Sequence, residues 1–235
     1  MMRRFRGIYH WLVRLALLLA VGVFWVDSAG RSAVRGSAAL PRDPQTAIMR
    51  GAEPLRIDRG RAGACLLLHG WISTPADFGS LPQALDGAGW DVYAPLHPGH
   101  GTTPADLEGL TAEELLHAAR AHHAGLRARY EKVVLIGFSM GGTMATILAA
   151  EQPPDKLVLV APFYGLTYRW YFVLPPRWWE ALLSPFVRYV KRSERLTRVN
   201  RPGARGEILA YGAFPVSAVR ALFALRRRAV RETDL

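Results

Sequence analysis

Apolar and polar positions alternate along this chain in blocks that set out its elements before any residue chemistry is considered. The first block is the unbroken apolar run 15–26, inside a wider stretch 8–26 that only His10 and Arg14 interrupt. A run of about 10–14 residues fits the core of a signal peptide and about 20 fits a membrane-spanning helix. The longer reading predicts an uncleaved signal anchor over residues 1–27, because Arg14 near one end can extend its charge towards water. Three further apolar runs, 65–68, 133–136 and 157–161, are short, and the last two are rich in β-branched residues. They predict buried parallel strands. Thr111 and Glu114 form the S/T-x-x-E signature of a helix start, so a helix is expected to lead into the strand at 133. The small and apolar residues from Met140 to Ala150 predict a second helix, and the Ala- and Leu-rich stretch 216–230 a third.

Between these blocks the composition changes twice. Residues 28–54 turn to Gly, Ala, Arg and Pro with little periodicity, which predicts a linker that lifts the following domain away from a bilayer. Residues 162–214 hold Phe163, Tyr164, Tyr168, Trp170, Tyr171, Phe172, Trp178, Trp179 and Phe186. The resulting division is a leader and anchor at 1–27, a linker at 28–54, a core at 55–161, an aromatic insertion at 162–214 and a core helix at 215–235. No internal repeat or low-complexity block is found.

The candidate chemistry sits where strand 133–136 meets the helix after it. Gly137-Phe-Ser139-Met140-Gly141-Gly142 is a G-x-S-x-G sequence with a strand before and a helix after. That context identifies a nucleophile elbow, a sharp turn that lifts a serine hydroxyl above the sheet. Gly137 and Gly141 flank the serine because such a turn leaves no room for Cβ atoms. The helix N-terminus points towards the serine and favours developing negative charge. Upstream, Cys65-Leu-Leu-Leu-His69-Gly70-Trp71 is a strand that ends in His-Gly, and Gly99-His100-Gly101 forms a compact loop.

With these three motifs the chain resembles the α/β-hydrolase superfamily, specifically its bacterial carboxylesterase and monoacylglycerol-lipase branch, most clearly over residues 64–162. The resemblance implies a mostly parallel sheet flanked by helices, with a helical cap inserted at 162–214. It further implies that Ser139 is the nucleophile and that the backbone N–H groups of Trp71 and Met140 form the oxyanion hole. Gly70, Gly137 and Gly141 would be the loop and elbow glycines, while His69 and His100 would brace loops. The implied reaction is hydrolysis of an acylglycerol or similar apolar acyl ester through an acyl-enzyme. The elbow does not choose the acceptor, so esterase, acyltransferase and peptidase chemistry stay open.

The triad of this architecture runs Ser, then Asp or Glu, then His, yet His123 is the last histidine. His117, His122 and His123 lie on the helix before the elbow strand and are expected at the surface, away from Ser139. The acids after the elbow are Glu151, Asp155, Glu180, Glu194, Glu207, Glu232 and Asp234. None follows a recognisable late strand. Two more strand–helix units, about sixty residues at about thirty each, are expected to carry the Asp and His. The chain is therefore read as truncated and impaired, with the 157–161 strand left as an apolar edge. The alternative is a catalytically silent scaffold or binding protein at the membrane.

Charge and cysteine content change this picture little. The net charge is +11 and the pI about 10.5. Only Lys132, Lys156 and Lys191 are lysines, and no nucleic-acid recognition motif accompanies the arginines. Nucleic acid is not expected as a partner; a solvated basic face and contact with an anionic membrane surface both fit. Cys65 is the only cysteine and lies in a predicted buried strand, which excludes an internal disulfide. No phosphate loop or dinucleotide fingerprint occurs, so no cofactor is expected. His69, His97 and His100 lack a carboxylate or cysteine to complete a tetrahedral set, so no metal is expected either. By the positive-inside rule, Arg3, Arg4 and Arg6 stay cytoplasmic and the domain lies on the periplasmic side of a bacterial inner membrane. A secreted or periplasmic product after cleavage near Ala29 is the alternative.

Overall fold

The expected short strands form a five-stranded sheet in a computed structural model that describes residues 2–165, 176–193 and 208–233. Its strands are β1 (Leu55–Ile57), β2 (Gly63–Leu68), β3 (Asp91–Ala94), β4 (Lys132–Phe138) and β5 (Lys156–Val160). The spatial order is β1-β3-β2-β4-β5, parallel except for the β1–β3 pair. Every residue of β2 is buried, because helices cover both faces. Ala64, Leu66 and Leu68 pack with Val133 and Leu135 beneath α3 (Ala112–Arg127), α4 (Met140–Glu151) and α6 (Val219–Thr233). Cys65 and Leu67 join Val92, Val134 and Ile136 on the opposite face, where Leu85 of α2 (Leu81–Gly87) closes the layer. The register Ala64↔Val133 and Leu66↔Leu135 aligns the two central strands so that their C-terminal ends meet at one edge, where ligands bind in open α/β sheets.

The helix start at Thr111 forms as its sequence implies. Thr111 Oγ1 accepts the Glu114 N–H (3.2 Å), while the Glu114 carboxylate accepts the Thr111 N–H (2.8 Å). His117 and His122 of this helix are exposed, but His123 is 2% exposed and does not lie at the surface as expected. The helical period explains the difference. His123 shares the inward stripe with Leu115, Leu116, Ala119 and Leu126, so burial rather than polarity sets its place.

Three features depart from a reading by composition. The N-terminal helix α1 (Met2–Ala38) continues eleven residues into the expected linker. Residues 39–54 then lie on the domain, with Met49 and Ala52 buried and the Met49 N–H donating to Gly101 O at 2.7 Å. The small residues there serve close packing: a Cβ on Gly30 would stand 2.1 Å from the carbonyl oxygen of Tyr189. The aromatic insertion contains a helix, α5 (Pro176–Leu183), and also an antiparallel ribbon of β6 (Tyr189–Lys191) and β7 (Ala213–Pro215). Tyr168, Trp170, Tyr171, Phe172, Glu194 and Glu207 lie outside the described residues. The stretch expected as one helix at 216–230 opens with a 3-10 turn, Val216–Ala218, before α6 begins.

Strand β5 is an edge of the sheet among the described residues, and Leu157, Val158 and Val160 are exposed on it. The opposite ends of the central strands are pinned by Asp91. This fully buried carboxylate accepts the backbone N–H groups of Arg59, Gly60 and Arg61 (2.9–3.1 Å) and the Tyr130 hydroxyl (2.9 Å). The loop before β2 is thereby fixed at the far edge from Ser139.

Candidate active site

The turn from β4 into α4 holds Ser139 at φ 53°, ψ −115°, in the left-handed region that L residues avoid. Such a conformation costs about 1–3 kcal/mol and persists only where the surroundings over-determine it. Three backbone hydrogen bonds do so here. The Ser139 N–H donates to Val160 O (2.9 Å), and its carbonyl accepts the N–H groups of Thr143 and Phe163 (both 3.1 Å). The flanking glycines are required by contact. A Cβ on Gly137 would lie 2.4 Å from Gly141 O, and one on Gly141 would lie 1.9 Å from Leu68 O. Ser139 itself is half-buried, and its hydroxyl has no hydrogen-bond partner among the described residues.

The His69-Gly70-Trp71 turn at the end of β2 abuts this elbow; a Cβ on Gly70 would stand 3.4 Å from the Ser139 Cβ. Met140 opens α4, so its N–H has no helical carbonyl to bond. The Trp71 N–H likewise bonds no described backbone carbonyl. Neither amide has a backbone carbonyl partner among the described residues, and both belong to turns that adjoin Ser139.

The neighbouring histidines brace the turn. The His69 Nδ1–H donates to Gly70 O (2.9 Å), and His69 Nε2 accepts the His97 N–H (3.1 Å). The His100 Nδ1–H donates to Pro98 O (2.9 Å). The His69 ring centroid lies 4.0 Å from that of His97 and 5.3 Å from that of His100. All three are 3% exposed or less. Desolvation holds His97 at a pKa of about 3 and His100 at about 4, and pushes His69 well below the usual imidazole value. They are neutral at pH 7, and none bonds Ser139. The described residues contain no group of three His, Cys, Asp or Glu placed to hold a metal ion.

Of the other candidate groups, Asp155 accepts the Val133 N–H (2.7 Å) at the far end of β4. Glu151, Glu180 and Glu232 are paired with Arg120, Arg220 and Arg228 on the surface. Burial pushes the Cys65 thiol up to about 11, and Cys65 faces the core on the side of α2.

Two supports of the site carry no signature in the sequence. The buried Tyr211 donates its hydroxyl hydrogen to Gly99 O (2.9 Å) and accepts the Thr102 N–H (2.9 Å), locking the Gly99–His100–Gly101 loop from 112 residues away. Behind the elbow, Thr143 Oγ1 donates to Phe163 O (2.9 Å) and Arg226 Nε to Tyr164 O (2.7 Å), which ties the start of the insertion to α4 and α6.

Comparison with known proteins agrees with this fold. The family model described as serine aminopeptidase, S33, matches residues 60–207, well over half of the chain. The chain is 35% identical over 111 residues to a thermostable monoacylglycerol lipase of Bacillus sp. (strain H-257), covering 47% of this chain and 44% of the relative. It is 30% identical over 108 residues to a carboxylesterase of Bacillus subtilis (strain 168), with 45% and 44% covered. The matches thus span less than half the length of these curated relatives. Among solved structures, a metagenome-derived lipolytic enzyme from a study of LipS and LipT superposes with a TM-score of 0.69 at 24% identity, covering 79% of this chain and 72% of that one. A monoacylglycerol lipase of Paleococcus ferrophilus gives 0.55 at 21% identity, covering 76% and 71%. These structural likenesses show the shared fold. A mostly parallel sheet with a strained serine at its central elbow, in a chain matched by that family model, places this protein in the α/β-hydrolase family of serine hydrolases described as serine aminopeptidase S33.

Proposed function

We propose that this chain forms acyl-enzymes at Ser139 from apolar carboxylic esters, acylglycerols or compounds like them. The observation that carries the reading is the strained Ser139 at the elbow, against which the His69-Gly70-Trp71 turn abuts. Ser139 Oγ attacks the acyl carbonyl carbon, and the two N–H groups receive the oxyanion, at about 3 kcal/mol per donor. Collapse expels the alcohol and leaves a serine ester, which water then hydrolyses. The substrate class draws support from the monoacylglycerol lipase and carboxylesterase among the relatives. No cofactor or metal enters this scheme.

A second reading rests on the Ser139 hydroxyl, which has no hydrogen-bond partner among the described residues. Six of the seven histidines brace loops or lie on α3, and His10 sits seventeen residues before Asp27 on α1. None bonds Ser139 among the described residues, and on this reading acylation and deacylation are both slow. Removal of triad members costs roughly a millionfold and leaves about 10³–10⁴ over water. At that limit the chain is a silent scaffold that binds esters without turning them over.

One experiment separates these readings. After incubation with an activated medium-chain ester, mass spectrometry is expected to find one acyl group on the peptide that contains Ser139, and none in Ser139→Ala. Folded protein that takes up no acyl group leaves the silent scaffold; acylation retained in Ser139→Ala places the nucleophile elsewhere.

For location, the 29-residue stretch His10–Ala38 of α1 contains a segment long and apolar enough for a membrane anchor or a signal sequence. The reading as an uncleaved anchor is supported by Asp27, which accepts the backbone N–H groups of Arg188 (2.8 Å) and Tyr189 (3.3 Å). Cleavage after Ala29 would remove this contact. The domain then stands on the periplasmic side.

A further inference from the structure

At the point where α1 meets the domain, a second apolar surface begins. Trp178 and Leu182 stand four residues apart on one face of α5, and Phe186 continues the spacing just beyond its end. They are 55%, 52% and 67% exposed, unusual for three large apolar side chains in a row. Isolated exposed apolar residues need no explanation, but a contiguous patch does.

Its position relative to the apolar span decides what covers it. Phe186 precedes by two residues the Arg188 whose N–H is held by Asp27. Asp27 directly follows Val26, the last residue of the apolar run. Two residues reach at most about 7 Å, so Phe186 stands close beside the end of the span. The eight-residue α5 adds about 12 Å. The polar layer on each side of a bilayer is about 6 Å deep, so a helix lying along it keeps the whole stripe within that layer. Arg31, Arg188 and Arg220 near this face are each paired with a carboxylate, Asp27, Glu108 and Glu180. The exposed apolar stripe beside the span, and not net charge, is therefore what selects a bilayer as its occupant.

We infer that α5 and the turn after it form a second membrane contact, in which Trp178, Leu182 and Phe186 enter the headgroup–acyl boundary beside the anchor. The occupant of this face is the bilayer. The inference rests on α1 spanning the membrane and is independent of the role of Ser139. In consequence the insertion is held against the lipid by two contacts, and apolar esters reach it without crossing water.

Site-specific fluorescence tests this in the full chain, reconstituted into vesicles of phosphatidylethanolamine with phosphatidylglycerol. The parent chain serves as the blank, because its Cys65 is 1% exposed with a thiol pushed up to about 11. Single variants Leu182→Cys and Phe186→Cys receive an environment-sensitive dye. Glu131→Cys, at the opposite end of β4 from Ser139, is the aqueous control, and Leu18→Cys reports on the span. Labels at 182 and 186 are expected to be quenched several-fold more by lipid carrying a headgroup-proximal nitroxide than the label at 131, and shielded from iodide. Iodide access at 182 and 186 equal to that at 131, with 18 still shielded, overturns the inference while leaving the anchor intact. Iodide access at 18 overturns the anchor itself. Shielding at 182 and 186 that disappears at one chain per vesicle assigns the face to a second copy and also overturns the inference.

Discussion

Acidification from pH 6.5 to 4 is expected to destabilise the folded domain by several kcal/mol, mainly through its buried histidines. The cause is the set of buried imidazoles under the His69-Gly70-Trp71 turn. In the folded state His97 and His100 protonate only near pH 3 and pH 4, and His69 well below the ordinary value, because burial removes the water that would stabilise their charge. In the unfolded chain the same groups protonate near pH 6.5. Above that value both states are neutral and the histidines contribute no pH dependence. Below it the unfolded chain takes up protons that the folded domain refuses. Stability then falls by about 1.4 kcal/mol per pH unit for each histidine, until the folded pKa is reached. Two such groups across this window amount to roughly 5 kcal/mol, comparable with the whole stability of many domains. The paired carboxylates Glu108, Glu151 and Asp155 have lowered values. Their contribution starts to fall only as the pH drops below the ordinary values of 4.5 for Glu and 3.8 for Asp, and it is lost through their lowered folded values. Asp77, raised by burial, opposes the histidines in part. Urea midpoints followed by circular dichroism in detergent from pH 8 to 4 measure the effect. His100→Gln should flatten the profile by about one histidine's share. A midpoint that is constant between pH 6.5 and 4.5 would contradict the assignment.

Gly141→Ala is expected to cost about 3 kcal/mol or more, although it adds a single methyl group. The added carbon would meet Leu68 O at 1.9 Å, Leu68 C at 2.4 Å and His69 O at 2.6 Å. All three are backbone atoms at the end of β2, so no side chain can rotate away. Overpacking commonly costs about 1–3 kcal/mol when flexible groups absorb it, and here relief requires α4 to withdraw from the sheet. That movement would also carry the Met140 N–H away from the Trp71 N–H, so the substitution is expected to lower Ser139 acylation as well as stability. Gly125→Ala in α3 supplies the contrast, since nothing lies within 4 Å of its added carbon. It is expected to stabilise by up to about 1 kcal/mol through helix propensity. Urea unfolding of the two variants measures both effects. A Gly141→Ala protein within about 1 kcal/mol of the parent would mean that the elbow does not press against β2 as described.

The legibility of this chain divides by distance along the sequence. The strands at 65–68 and 133–136, the Thr111 helix start and the glycines around Ser139 are written within windows of a few residues. Period, capping and steric exclusion act over that range, and these elements stand where they were expected. His123 is buried, contrary to its polarity, because the phase of an amphipathic helix sets which residues face inward. The stretch 28–54 resembled a linker because its small residues have no partner nearby in sequence. Their partners are Tyr189, 159 residues from Gly30, and Gly101, 52 residues from Met49. The ribbon β6–β7 and the Tyr211 clasp on the Gly99 carbonyl likewise depend on contacts that no local window contains. The strained serine is legible because the glycines around it leave a local mark.

The rate at which a fluorophosphonate modifies Ser139, followed from pH 5 to 9 in the parent and in Ser139→Ala, tests the proposed chemistry most directly. On the reading in which no imidazole of this chain serves Ser139 as a base, modification should occur at Ser139 alone. The rate should be slow and should rise steadily with pH, with no plateau near neutrality. Modification that persists in Ser139→Ala, or a profile that levels off with an apparent pKa near 7, would contradict the account: the first by moving the nucleophile, the second by revealing a base that these residues supply.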